Sequence, residues 1–108
     1  MDVKVLQIEE IAVFQVNGEI NISTSPALKN HFEKISSKKI VVNLEKVSYI
    51  DSSGLATLVE ILKKTRSQGG ALGLAGMSEK VKSLFEITKL DKLFSIFAAQ
   101  DEAIAKIK

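Results

Sequence analysis

The stretch that most constrains the fold runs from residue 40 to residue 66. Its first five residues, 40–44, are rich in β-branched side chains, which is typical of a strand inside a sheet. Farther on, four apolar residues recur at the i, i+3, i+4, i+7 spacing that forms one face of a helix. These residues are Leu55, Leu58, Val59 and Leu62. The stretch therefore predicts a buried strand, a short loop, a turn at 51–54 and an amphipathic helix.

The turn has the sequence Asp51-Ser52-Ser53-Gly54 and stands at the expected start of the helix. The first N–H groups of a helix are unpaired, and the helix dipole there favours negative charge. In one interpretation Asp51 or Ser52 is only an N-cap and Gly54 eases the turn. In the other, a serine hydroxyl is held at the surface as a modification site, where a phosphate would meet a favourable backbone field. The two interpretations are compatible, because a residue of the cap can also accept a phosphate.

Two strands are expected at the start of the chain. Apolar and polar residues alternate over residues 3–8 and 11–16, which predicts a hairpin with a tight turn at the glutamates 9–10. The Asn-Gly pair at 17–18 has strong turn chemistry and is expected to end the second strand. A polar loop over 19–24 is predicted to follow.

A first helix is expected after this loop. Ser25 is the predicted N-cap, and Pro26 fits the first helical position. The apolar stripe of the helix is formed by Leu28, Phe32 and Ile35. Residues 36–39 are expected to close it.

The second half of the chain continues the alternation of strands and helices. Residues 71–75 predict a further buried strand, and Ser78 is a candidate N-cap of a third helix. A last short strand is expected within 94–97, and Gln100 or Asp101 is expected to cap a terminal helix. The fold class predicted is α/β: one domain over residues 1–108, with a mixed, mostly parallel sheet of four to five strands and about four helices.

In such a sheet, loops that follow parallel strands gather at the carboxyl edge, where ligands and partners bind. Three segments come directly after predicted strands, namely 18–24, 51–54 and 75–78. We therefore expect these three segments to meet at one end of the sheet.

The composition excludes several classes of function. The chain has 108 residues, 45% of them hydrophobic, a net charge of +2 and no cysteine. Disulfides and thiolate metal sites are thus ruled out. There is no basic stripe interleaved with aromatic residues, so no nucleic-acid partner is expected. No apolar run approaches a membrane span and the N-terminus lacks a signal-peptide pattern, so we expect a cytoplasmic protein without a membrane partner.

The residues available for catalysis are few. His31 is the only histidine, and it is expected at a surface or boundary position of the first helix, away from Ser52. No Gly-x-Ser-x-Gly elbow and no glycine-rich nucleotide motif occurs. Asp51, Glu19 and Glu45 are too loosely spaced to predict a cation site. The sequence therefore predicts neither an enzyme nor a cofactor.

Six motifs follow one another along the chain: Val16-Asn17-Gly18-Glu19-Ile20, Ile40 to Tyr49, Ile50-Asp51-Ser52-Ser53-Gly54-Leu55, Gly69-Gly70, Leu72-Gly73-Leu74 and Val81 to Phe85. In this order and at these separations they resemble the STAS domain family, and most closely its free-standing bacterial anti-sigma factor antagonists. The resemblance extends over nearly the whole chain.

The resemblance implies a function and a site. In the family's antagonists, the serine after the aspartate is phosphorylated by a partner that is both a serine kinase and an anti-sigma factor. Here that serine is Ser52, with Ser53 as the runner-up, and Asn21, Asp51 and Gly54 complete the expected partner-binding set. The unphosphorylated protein would bind the kinase and free the sigma factor. Phosphorylation would end that binding, and a PP2C-type phosphatase would reverse it.

One position departs from the family pattern. Members often carry an aspartate where this chain has Asn21, in the loop before the first helix. An asparagine can still form hydrogen bonds but has no charge. If that carboxylate assists the kinase reaction, the resemblance implies slower phosphorylation of Ser52 or a different partner.

Other functions remain open at the level of sequence. One is a STAS-type scaffold or regulatory subunit that is not phosphorylated, for example in a lipid-transport or signalling assembly. Another is a small-ligand or nucleotide-binding module that uses the same strand ends. A hydrolase or transferase comes last, because no histidine or metal set supports it.

Overall fold

The computed structural model describes residues 1–108 and contains one five-stranded sheet and four α-helices. The strands are β1 (Asp2–Ile8), β2 (Ile11–Ile20), β3 (Lys39–Ile50), β4 (Ala71–Ala75) and β5 (Ser95–Phe97). The helices are α1 (Ser25–Glu33), α2 (Ser52–Ser67), α3 (Glu79–Ile87) and α4 (Gln100–Ile107), and a 3-10 turn at Leu90–Lys92 precedes β5.

The strands lie in the order β1-β2-β3-β4-β5. The β1–β2 pair is antiparallel and every other pair is parallel. Consecutive parallel strands joined by right-handed crossovers place their helices on one face of the sheet. The predicted α/β class, with its mixed and mostly parallel sheet, is confirmed.

Side chains of alternate strand residues fill two separate apolar layers. The larger cluster lies between the sheet and helices α1 to α3, and in it the rings of Phe14 and Phe32 stack with centroids 4.2 Å apart. The smaller cluster joins β2, β3 and β4 to Ala103 of α4 on the opposite face. The sheet is thus buried on both faces over its centre, which explains the nearly continuous apolar runs in β2 and β3.

The hairpin predicted at the start of the chain is confirmed. Ile8 lies opposite Ile11, and residues 9 and 10 form a hydrogen-bonded turn. Glu9 adopts a positive φ of 56°, a conformation that short hairpin turns require and that residues other than glycine seldom adopt.

Two predicted strand ends are wrong. Asn17-Gly18 does not end β2, which continues to Ile20, and β3 does not give way to a loop after Leu44 but runs on to Ile50. The register between β2 and β3 shifts twice along this extension, and Gly18 there has a φ of 112°. The shifts let the strands keep pairing although the strict alternation of apolar residues is lost.

The predicted N-cap is confirmed for α3 and wrong for α1. Ser78 caps α3, since its Oγ accepts the N–H of Val81 at 3.2 Å. Ser25, however, is not the cap of α1; it is the first helical residue, preceded by Thr24, and its buried Oγ has no hydrogen-bond partner. α1 is also shorter than predicted, since it ends at Glu33, before residues 36–39 that were expected to close it.

The prediction that Gln100 or Asp101 caps the terminal helix is wrong. The N-cap is Ala99, which has no side chain able to accept a hydrogen bond. Gln100 is the first residue of α4, and its Oε1 accepts hydrogen bonds from Gln15 at 3.0 Å and Asn43 at 2.9 Å. The glutamine therefore anchors α4 to the sheet rather than capping the helix.

Candidate functional site

The candidate site lies where β2 and β3 end side by side. Ile20 pairs with Ile50, and the backbone N–H of Asp51 donates to the carbonyl of Ile20 at 3.1 Å. The loop of residues 21–24 and the turn at 51–54 are thereby brought together. This part of the predicted convergence of loops at the carboxyl edge is confirmed.

The third predicted segment reaches this edge only indirectly. β4 ends with Ala75 paired to Asn43, so β3 continues seven residues beyond it to Ile50. Farther along the chain, Lys80 in the first turn of α3 lies 5.3 Å from the ring centroid of Tyr49. A residue of α3, rather than the segment 75–78 itself, therefore contacts this end of β3.

Asp51 connects the two loops through both of its carboxylate oxygens. Oδ1 accepts the N–H of Gly54 at 2.8 Å, which makes Asp51 the N-cap of α2. Oδ2 accepts the N–H of Ile22 at 3.1 Å, from the neighbouring loop. The sequence analysis allowed Asp51 or Ser52 as the cap, and the geometry selects Asp51.

Ser52 is the first residue of α2 and is exposed to solvent. Because Asp51 provides the cap, the hydrogen bonds that fix the turn do not need the Ser52 hydroxyl. Ser53 follows at the second helical position and is half-buried. An incoming enzyme therefore has freer access to the hydroxyl of Ser52 than to that of Ser53.

Gly54 has a steric role in the turn. A Cβ at this position would lie 2.5 Å from the carbonyl oxygen of Ile20 and 2.7 Å from Cγ2 of Ile50. Gly54 is buried and helical, and it is not among the glycines with positive φ. It therefore lets the start of α2 approach the ends of β2 and β3, and does not serve to ease a strained turn.

Asn21 organises its own loop. Its Oδ1 accepts the N–H groups of Ser23 at 2.9 Å and Thr24 at 3.1 Å, an arrangement that folds the chain into α1. The link from this loop to the site runs through the neighbouring Ile22 N–H and the Asp51 carboxylate. Asn21 thus lies in the loop beside the turn, and no hydrogen bond joins its side chain to Asp51 or Ser52.

Two apolar side chains near the site were missed by the sequence analysis. Ile22 is 72% exposed, and Tyr49, the residue before the last of β3, is 37% exposed. A signal was available in the sequence for both: Ile22 stands alone in a polar loop, and Tyr49 alternates with the buried Ile50. Exposed apolar side chains beside an exposed hydroxyl are suited to contact with another protein.

No group of three or more His, Cys, Asp or Glu side chains could hold a metal ion. His31 is half-buried in the second half of α1, as the sequence predicts for a boundary residue. None of the four α-helices combines the length and apolar character that crossing a bilayer requires.

Comparisons with known proteins concern the family and the overall fold of the chain. The family model of the STAS domain matches residues 2–103. The anti-sigma-B factor antagonist of Bacillus subtilis is 31% identical over 106 residues, which cover 96% of this chain and 97% of the relative. The crystal structure of an anti-sigma factor antagonist from Mycobacterium paratuberculosis superposes with a TM-score of 0.89 at 26% identity, covering 98% of this chain and 92% of that one.

A further structural relative shows the same fold at lower identity. The unphosphorylated form of the anti-sigma factor antagonist SpoIIAA has a TM-score of 0.83 at 19% identity and covers 98% of this chain and 96% of its own. The phosphorylated form of the Bacillus protein has a TM-score of 0.78 at the same identity and covers 99% and 100%. These two likenesses show the fold, and the family model and the B. subtilis relative show that the chain belongs to the STAS domain family.

Proposed function

We propose that this chain is an anti-sigma factor antagonist whose binding to its partner is switched off by phosphorylation of Ser52. The unphosphorylated chain binds an anti-sigma factor that is also a serine kinase, and so releases the sigma factor. A PP2C-type phosphatase restores the binding form. This role is regulatory rather than catalytic, and the relatives named as antagonists support it.

The observation that carries the proposal is the position of Ser52. Ser52 is exposed and is the first residue of α2, and the preceding Asp51 is the N-cap of this helix. A kinase can reach such a hydroxyl without unfolding the helix. Ser53, the next residue of α2, is half-buried, and it is therefore the second choice as phosphate acceptor.

Phosphorylation at this point changes a docking surface in a defined way. The phosphate adds about −1.5 to −2 charges at neutral pH. It would stand beside the Asp51 carboxylate and close to the loop that carries the exposed Ile22. A partner packed against this surface would have to desolvate a dianion next to a second negative charge. About 1.4 kcal/mol of such a penalty weakens binding tenfold, so a few kcal/mol suffice for a switch.

Phosphorylation itself is tested with the anti-sigma kinase of the source organism and ATP, followed by mass spectrometry of the intact chain and its peptides. One phosphate on Ser52 is expected, together with its loss in Ser52→Ala and its retention in Ser53→Ala. Label on neither serine, or unchanged labelling of Ser52→Ala, would contradict the proposal.

The switch is tested by titrating the kinase with Ser52→Asp in calorimetry without ATP. We expect binding to weaken by about tenfold or more, which corresponds to ~1.4 kcal/mol. Ser67→Asp is the matched control, because it adds the same charge to an exposed serine at the far end of the same helix, about 22 Å away. Equal affinities of Ser52→Asp and the parent chain would favour a STAS scaffold that is not regulated by phosphorylation.

A further inference from the structure

The longest unpaired edge of the sheet is the outer side of β1. This seven-residue strand pairs only with β2, whereas the opposite edge is the three-residue β5. An edge strand presents a row of free N–H and C=O groups that another strand can pair with. Val5 on this strand is 41% exposed although it is apolar.

The hairpin turn determines which residues of β1 direct their backbone groups outward. Ile8 and Ile11 flank the two-residue turn and form a hydrogen-bonded pair. Hydrogen-bonded and non-hydrogen-bonded pairs alternate along an antiparallel ladder. The even-numbered residues of β1 therefore bond to β2, and Val3 and Val5 direct their N–H and C=O groups to the free edge.

The two charged residues of the first half of β1 have opposite signs and no partner within the chain. Asp2 and Lys4 are exposed, lie on the same face of the strand, and take part in none of the ion pairs of the structure. A lysine on an edge usually discourages strand pairing. Here an aspartate two residues away can neutralise it, provided that the added strand runs antiparallel.

We propose that β1 pairs antiparallel with β1 of a second copy, about a two-fold axis at Val3. In this register Val3 faces Val3 of the second copy, and Asp2 faces Lys4 on both sides of the axis. The apolar residues meet on one face of the joined sheets and two opposite-charge pairs form on the other. The result is a reversible homodimer with one continuous ten-stranded sheet.

The neighbouring registers are less favourable. A shift that centres the axis on Lys4 places two lysines directly opposite each other, and like charges in that position destabilise a strand pair. A shift that centres it on Val5 places Lys4 against Leu6 and Asp2 against Ile8, so both charges face apolar side chains. Charge complementarity therefore selects the register about Val3.

Sedimentation velocity of the full chain, carrying any tag at its C-terminus, tests the dimer over a range of concentrations at low salt. Asp2→Lys and Lys4→Asp each turn two attractive pairs into two repulsive ones, and each should weaken dimerisation by about tenfold or more. The double exchange Asp2→Lys/Lys4→Asp restores opposite charges and should restore the dimer. Glu86→Lys, at an exposed position of α3, changes the net charge as Asp2→Lys does and should have no effect.

Cysteine cross-linking tests the register, because the chain has no cysteine of its own. In the proposed dimer the Cα atoms of Val3 and its symmetry mate are about 5.5 Å apart, within the range of about 4.4–6.8 Å that a disulfide spans. Those of Val5 are about 14 Å apart, because they are separated both along the strands and across them. Mild oxidation should therefore cross-link Val3→Cys and leave Val5→Cys uncoupled.

Three results would overturn the proposal. The first is a chain that stays monomeric at every concentration, and the second is a dimer that Asp2→Lys leaves intact. The third is cross-linking of Val5→Cys instead of Val3→Cys, which would place the axis elsewhere. Circular dichroism of each variant establishes that the chain remains folded.

Discussion

At the scale of single residues, Gly54 shows that a residue of the turn at 51–54 can be required for packing rather than for chemistry. The turn needs an exposed hydroxyl at Ser52 for the proposed function, but it needs Gly54 because the carbonyl of Ile20 lies where a Cβ would be. Sequence alone suggests that this glycine eases the turn. The structure instead gives it a steric reason, which depends on how closely α2 packs on the ends of two strands.

We predict that Gly54→Ala destabilises the chain by about 1–3 kcal/mol, the range typical of overpacking. The gain in helix propensity of about 1 kcal/mol would offset only part of this loss, because the nearest atom is a backbone oxygen that cannot rotate away. Urea unfolding followed by circular dichroism gives the difference. The control is Ser53→Ala, at the adjacent half-buried helical position, which should change stability by less than about 0.5 kcal/mol. A more stable Gly54→Ala chain would contradict this account of the glycine.

At the scale of elements, one carboxylate joins the start of α2 to the loop after β2. Asp51→Ala should remove both the cap and the bridge to Ile22, at a cost of about 1–3 kcal/mol. Asp51→Asn keeps one acceptor oxygen and should retain one of the two bonds. Amide hydrogen exchange distinguishes these outcomes: both Gly54 and Ile22 should exchange faster in Asp51→Ala, and only one of them in Asp51→Asn. Unchanged exchange at Ile22 in Asp51→Ala would show that the bridge is not formed.

Most of the elements could be predicted from the sequence because apolar spacing reports burial directly. The ends of β2 and β3 could not, since pairing there continues through two register shifts that hide the alternation. The start of α4 could not be predicted either. Gln100 makes its hydrogen bonds to Gln15 and Asn43, which are 85 and 57 residues away in the chain. Contacts of this kind depend on the assembled sheet and leave no local pattern.

The site was predictable to a similar degree. The four-residue turn and the neighbouring loop could be identified from the strand order and the family resemblance, and the structure brings them together. The division of roles within the turn could not, because it depends on which oxygen of Asp51 faces which N–H group. The sequence carries a signal for the exposed Ile22 and Tyr49, but their position beside the turn became evident only once the ends of both strands were located.

At the scale of the whole molecule, the proposed switch and the proposed dimer use different surfaces. Ser52 follows the end of β3, in the middle of the sheet, whereas β1 is its outer strand. Neither proposal requires the other, and each has variants that leave the other surface unchanged. Loss of kinase binding in Ser52→Asp, for example, is expected without any change in sedimentation.

The switch should also act without loosening the fold. A negative charge at the first position of α2 is favoured by the helix dipole and disfavoured by the adjacent Asp51, two effects of similar size and opposite sign. We therefore predict that Ser52→Asp changes the free energy of unfolding by less than about 1 kcal/mol, because the substituted side chain is exposed. Urea unfolding of Ser52→Asp beside Ser67→Asp, which places the same charge at the unfavourable end of the helix, measures this. If Ser52→Asp alone lowers the free energy of unfolding by several kcal/mol, the added charge ends partner binding by disrupting α2. If stability is unchanged while binding is weakened, the switch lies in the docking surface itself.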